Sequence, residues 1–157
     1  MVHTAMADSF SPMVLRPIGR VRSTLGSHEH KRDYSQVTAE IVVEPEYASA
    51  LEGIERRDHI VVLFWFTRIE ESERDALLVP EHRRKADKPA GIFGTRAPTR
   101  PNPIGVTTVH LLSREGNVLH VQGLDAADGT PVLDLKPYSH FDFHTDASFP
   151  ARRSERK

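Results

Sequence analysis

The chain has 157 residues, 27% charged, 38% hydrophobic and 7% aromatic, the composition of one globular domain, since domains commonly run about 100–200 residues. It has no cysteine, which excludes a disulfide framework, thiolate zinc ligands, an iron–sulfur cluster and a cysteine nucleophile in one step. Lys and Arg total 21 against 22 Asp and Glu, a net charge of -1, so any nucleic-acid contact must be a local patch rather than an overall basic surface.

The first thirteen residues, MVHTAMADSFSPM, lack both the basic start and the sustained apolar stretch of a secretory signal and are expected to fray. Val14 to Ser23 reads as a first strand and Ala39 to Glu44 as a second, each rich in β-branched residues. In Pro45 to Ile54 the residues Tyr47, Ala50, Leu51 and Ile54 recur at helical spacing behind a proline suited to a first turn, which predicts a short helix. His59 to Arg68, HIVVLFWFTR, reads as a central strand buried on both faces. Its apolar run, Ile60 to Phe66, is far short of the roughly 18–20 residues that cross a bilayer, so no membrane helix is expected.

Glu70 to Ala90 is highly charged, carries two prolines and is read as an exposed excursion with at most a short helix. Ile104 to Leu112 and Val118 to Leu124 are two further strands, joined by a hairpin turn at Glu115-Gly116-Asn117. Short strands between scattered prolines and glycines predict a mostly β fold, a single-domain antiparallel β-barrel with one or two short helices. The expected organisation is a flexible N-terminus over 1–13, the barrel over 14–145 and a flexible basic tail over 146–157.

Two stretches stand apart. Gly91 to Val106, GIFGTRAPTRPNPIGV, cannot be a regular helix or a central strand. Arg100 and Asn102 each precede a proline and are biased to extended geometry. A rigid segment of this kind presents donors and acceptors to a ligand at low ordering cost; a plain proline-rich link between strands is the structural alternative. Gly123 to Tyr138, GLDAADGTPVLDLKPY, holds Asp125, Asp128 and Asp134, either as site carboxylates or as turn-forming residues with a lysine ion pair. The spacing is not that of an EF-hand, and no phosphate-binding GxxxxGK[ST] loop or HExxH pair is present, so no metal is expected. Among the nine histidines, His59 stands at a strand end, as a site residue or a satisfied core one. From His82 to Arg100, six Lys and Arg (Arg83, Arg84, Lys85, Lys88, Arg96, Arg100) face only Asp87, a local excess that suits a polyanionic substrate.

Together with IGRVRS, the Gln36 region, PEYASALEGI and DHIVVLFWF, these two stretches resemble the TsaA-like family, whose bacterial member is a tRNA methyltransferase; the likeness runs from about Ile18 to Tyr138. The resemblance implies a barrel that binds S-adenosylmethionine without a Rossmann fold, a homodimer, a cytoplasmic location, and methylation of N6 of threonylcarbamoyladenosine in tRNA. By motif position it implies cofactor contacts at Arg96, Leu124 and Asp125, with Thr67, Arg68 and Val106 lining the same site. Arg100, Asn102 and Lys136 fall on the substrate side. Asp128 or Tyr138 is the expected acceptor of the departing N–H proton. A methyltransferase with another acceptor, or a non-catalytic S-adenosylmethionine-binding or RNA-binding module, shares the same pocket. The segment LLVPEHRRKADKPAG departs from the arginine–proline-rich approach of the bacterial enzymes, and the Gln36 neighbourhood lacks their prolines.

Overall fold

The computed structural model describes residues 11–24, 33–79, 89–139 and 142. Within them the strands are β1 (Gly19–Ser23), β2 (Thr38–Val43), β3 (His59–Trp65), β4 (Leu78–Val79), β5 (Ala90–Gly91), β6 (Ile104–Glu115), β7 (Val118–Gln122) and β8 (Pro131–Pro137). Six of them close an antiparallel barrel in the order β1-β2-β7-β6-β3-β8, and β4 and β5 form a separate two-stranded ribbon. The mostly β barrel expected from the sequence is the fold observed.

Alternation builds the core. In β3, Ile60, Val62 and Phe64 point inward and are essentially inaccessible, while His59, Val61, Leu63 and Trp65 face out. β3 is therefore two-faced rather than buried on both sides, and its outer row is covered only in part; Arg74, for one, lies 5.5 Å from the Trp65 ring centroid. Val21, Ile41, Val43, Val109, Leu119, Val121 and Val132 complete the interior from the other strands, as period-2 patterning requires.

Several elements differ in extent from the sequence expectation. β1 starts at Gly19 rather than Val14, and residues 11–17 are all exposed. The segment expected as a helix is a 3-10 helix over Pro45–Leu51, with a second turn at Ile54–Arg56 after Gly53, whose φ is +81°. β3 ends at Trp65: the Phe66 amide still bonds to the Pro103 carbonyl at 2.8 Å, but Pro103 has no N–H to return, and the chain then turns. The 70–90 excursion holds a 3-10 turn at Glu71–Glu73 and one edge of the β4–β5 ribbon; Arg83, Arg84, Lys85 and Lys88 lie outside the described residues. β8 went unread in the sequence, where Pro131 and Pro137 mask a strand they merely bracket. It pairs with both β1 and β3, with a register shift between Leu63 and Phe64.

One close approach fixes the register of the β3–β6 pair. Gly105 stands opposite Phe64, and a Cβ on Gly105 would lie 2.3 Å from the Phe64 ring. The buried ring fills the space that a side chain would take. Gly105→Ala is accordingly expected to lower stability by about 1–3 kcal/mol in urea denaturation. Combining it with Phe64→Leu should cost less than the sum of the two single changes; strict additivity would show that the ring is not the obstacle.

Candidate functional site

The antiparallel registers divide the barrel into two rims. At one rim stand Ser23, Thr38, Trp65, Ile104, Gln122 and Pro131; at the other stand Gly19, Val43, His59, Glu115, Val118 and Pro137. The second rim carries the 3-10 segment and the tight Gly116-Asn117 turn. The first carries the three long connections: 24–37, 66–103 and 123–130. Both unusual sequence stretches thus open onto the same rim.

The acidic connection is anchored from inside. Leu124 and Ala126 are buried in the core, and Asp125 between them is exposed. Thr107, on the section of β6 that runs past the end of β7, donates its hydroxyl to Asp125 Oδ1 at 2.5 Å. The Gly123 amide bonds to the Val37 carbonyl at 2.8 Å, and Gln122 Nε2 to Gln36 Oε1 at 3.0 Å, which joins this connection to the 24–37 one. Asp128 is exposed, and its Oδ1 accepts the Ser23 amide at 3.0 Å. Gly129, with φ +76°, returns its own amide to the Val21 carbonyl at 2.9 Å.

The proline-rich connection folds around Arg100. Its Nη1 lies 2.9 Å from the Thr95 carbonyl and 3.4 Å from those of Ile92 and Ala97. Thr95 Oγ1 also donates to the Ile92 carbonyl at 3.0 Å, and the Ala97 amide to Thr95 Oγ1 at 3.2 Å. Arg96 is exposed and makes no ion pair or side-chain hydrogen bond among the described residues. Asn102 is exposed, and its carbonyl accepts the Ile104 amide at 2.7 Å across the buried Pro103. Thr67 and Arg68 follow β3 directly and are exposed. Val106 lies on the outer wall of β6 opposite Leu63, 47% exposed.

The predicted residues therefore separate into two groups. Thr67, Arg68, Arg96, Arg100, Asn102, Val106, Leu124, Asp125 and Asp128 belong to one rim or to the wall just below it. Lys136 and Tyr138 do not: Lys136 pairs with Val61, and the Tyr138 amide bonds to the His59 carbonyl at 3.2 Å, near the opposite rim. Pro131–Pro137, which separate the Asp128 turn from Tyr138, form one strand, about 20 Å long at about 3.3 Å per residue. Asp128 and Tyr138 are therefore not brought together within one chain. Leu124 is wholly buried, so it anchors the connection from beneath rather than facing a ligand. Lys136 Nζ sits 2.6 Å from Asp134 Oδ2, and this hydrogen bond and charge raise its pKa above the usual lysine value; it remains a cation at neutral pH and cannot act as a base. His59 stacks on His110 with ring centroids 5.1 Å apart on the outer wall, a surface pair rather than a core residue. Sequence reasoning missed Thr107, whose signal is a hydroxyl doublet, Thr107-Thr108, set between the apolar Val106 and Val109. No group of three or more His, Asp or Glu among the described residues is arranged to hold a metal, and no helix among them is long and apolar enough to cross a membrane.

A small closed barrel with its three long connections gathered at one rim defines a single-domain protein of the β class. Residues 27–143 match the family of the tRNA-methyltransferase O N-terminal domain, and the chain belongs to that family. An S-adenosyl-L-methionine-binding protein of Archaeoglobus fulgidus is 42% identical over 130 residues, 81% of this chain and 90% of that protein. A second A. fulgidus protein named for binding the same molecule is 47% identical over 129 residues, 80% of this chain but 34% of its own length. The tRNA (adenine(37)-N6)-methyltransferase of Mus musculus is 38% identical over 109 residues, 69% of this chain and 24% of the mouse protein. Among solved structures, a crystal structure of TrmO superposes with a TM-score of 0.70 at 31% identity, over 88% of this chain and 64% of that one. The chain thus spans about a third of one close relative and just under two thirds of the TrmO structure.

The Arg100 cluster yields a direct expectation. Arg100→Lys replaces a planar fork by a point charge that cannot serve the three carbonyls in the same geometry. Amide hydrogen exchange at Thr95 and Ala97 should rise about tenfold while exchange in β3 stays unchanged; equal protection in both proteins would show that the guanidinium does not organise the loop.

Proposed function

We propose that this chain is an S-adenosylmethionine-dependent methyltransferase that modifies N6 of threonylcarbamoyladenosine in tRNA, working as a homodimer in the cytoplasm. The observation that carries the reading is the pair of exposed, opposite charges, Asp125 and Arg96, presented at one rim by loops anchored in the core. The donor set fits the cofactor. Asp125, oriented by Thr107, suits an ammonium or a ribose diol, and Arg96 suits a carboxylate. Thr67, Arg68 and Val106 would line the same site, with Leu124 packed beneath it. When bound, S-adenosylmethionine supplies a methyl group on a positively charged sulfur.

The protein's own task is to orient and to receive a proton. Transfer to an exocyclic amine requires in-line approach, and loops whose backbones are fixed by hydrogen bonds supply that orientation. As the nitrogen gains its methyl group it gives up one N–H proton, and Asp128, an exposed carboxylate steadied at Oδ1 by the Ser23 amide, is placed at the rim to take it. Asn102 would hold the acceptor base. Arg100 supports the site by shaping its loop, with part of its guanidinium already engaged by carbonyls.

The separation of Tyr138 and Lys136 from this rim supports the homodimer in this reading. The outer wall between them mixes the apolar Val106, Leu63 and Val61 with the polar Thr108 and the stacked His59 and His110. A second copy packed on that wall would cover it and carry one chain's Tyr138 towards the other's loops. A second reading, a binding module without catalysis, draws support from the archaeal relative that is named only for S-adenosyl-L-methionine binding and that this chain spans almost fully.

Two experiments decide. Calorimetry should detect S-adenosylmethionine binding, weakened at least tenfold by Asp125→Ala, and mass spectrometry of nucleosides from treated tRNA should show the added methyl group; binding without methylation would favour the module. Mixing Arg96→Ala with Tyr138→Phe protein should restore part of the activity that each lacks alone, because a mixed dimer holds one intact site. A monomer in light scattering, or no restoration, would overturn the two-chain site.

A further inference from the structure

We propose, on the reading of this rim as an RNA-modifying site, that the Phe93 ring is a stacking platform for one unpaired base of the RNA. A single exposed apolar side chain is ordinary on a protein surface. Phe93 differs in being 77% exposed on a backbone fixed from both sides. Its neighbour Ile92 is 1% exposed, and the Ile92 amide bonds to the Leu77 carbonyl at 2.9 Å. On the other side the Thr95 amide and hydroxyl both return to the Ile92 carbonyl, at 3.1 and 3.0 Å. The ring therefore stands in solvent with little backbone freedom left to lose on binding.

One side of the ring is already occupied by a cation. Arg100 Cζ lies over it, 5.9 Å from the centroid, within cation–π range. Because the same guanidinium is held by loop carbonyls, it stays in place while the rest of the ring remains open. Arg96, exposed three residues away, adds a second positive charge. A Cβ built on Gly91 or Gly94 meets nothing within 4 Å, so a flat ligand can approach past either glycine. An aromatic face backed by a guanidinium, with further positive charge beside it, is the recognition chemistry of a nucleotide whose base stacks and whose phosphate is attracted. Leu77 and Leu78 at the adjoining ribbon are exposed as well, but the guanidinium over the ring and the exposed Arg96 beside it favour a stacked nucleotide over a purely apolar partner.

The full chain carrying Phe93→Leu or Phe93→Trp tests this against a fluorescently labelled anticodon stem–loop RNA, with calorimetry on S-adenosylmethionine and thermal melting in parallel. Loss of one base stack should weaken RNA binding about tenfold or more in Phe93→Leu, while Phe93→Trp binds within about threefold of the unmodified protein, since any aromatic face serves. Cofactor affinity and melting temperature should match those of the unmodified protein in both variants. Equal RNA affinity in Phe93→Leu overturns the proposal while leaving the RNA-modifying reading intact. A parallel loss of S-adenosylmethionine affinity also overturns it, and assigns the ring to the cofactor's adenine. If the unmodified protein itself does not bind the RNA, the failure lies with the RNA-modifying reading, and the stacking proposal falls with it.

Discussion

The seam at which β8 closes the barrel is the constraint on which the rest depends. β8 runs beside β3 for most of its length but meets β1 only at Gly19 and Arg20. The short seam is lengthened by three backbone bonds beyond the paired residues: Ile18 amide to Val132 carbonyl, Val21 amide to Thr130 carbonyl, and Gly129 amide to Val21 carbonyl. Two of these involve residues of the acidic connection itself. Closing the sheet and placing Asp128 beside Ser23 are thus one structural event, and the site is assembled by the same hydrogen bonds that leave the barrel without an open edge.

Much of this was legible in the sequence because period-2 patterning and turn chemistry are local. The strand read at Val118 to Leu124 and found at Val118–Gln122, the tight turn at Gly116-Asn117 and the existence of the β3 strand follow from side-chain type alone. β8 was not legible because its neighbours in space are far away in sequence, and prolines at both ends suppress the usual strand signal. The outer row of β3 was misread for a related reason: Val61, Leu63 and Trp65 are apolar yet only half-buried, and a sequence carries no mark of whether such a row meets another part of the fold. Lys136 and Tyr138 show the limit most plainly. They follow the acidic connection closely in sequence, but one strand carries them along the barrel to its other rim.

Arg96 and Arg100 make the same point on a smaller scale. Four residues apart in one rigid motif, they are equivalent to any count of charge. The fold gives Arg100 to the loop's own carbonyls and leaves Arg96 facing solvent. The division follows from the turn at Ile92–Gly94, which curls the chain so that several carbonyls converge on one point, where only a donor fork can satisfy them. A ligand-facing cation and a scaffold cation thus arise from one composition, and mutational loss at either position would need a structural readout to be interpreted.

The alternation around Asp125 has a consequence for motion. Leu124 and Ala126 are core residues on either side of it, so the backbone that carries the carboxylate cannot swing away without withdrawing apolar surface from the barrel interior. Its position is governed by the cooperative unfolding of the domain rather than by local loop fluctuation. A ligand gripped there adds its binding free energy to the global stability of the fold by mass action, which makes the melting temperature of the whole barrel a direct reporter of occupancy at a single side chain.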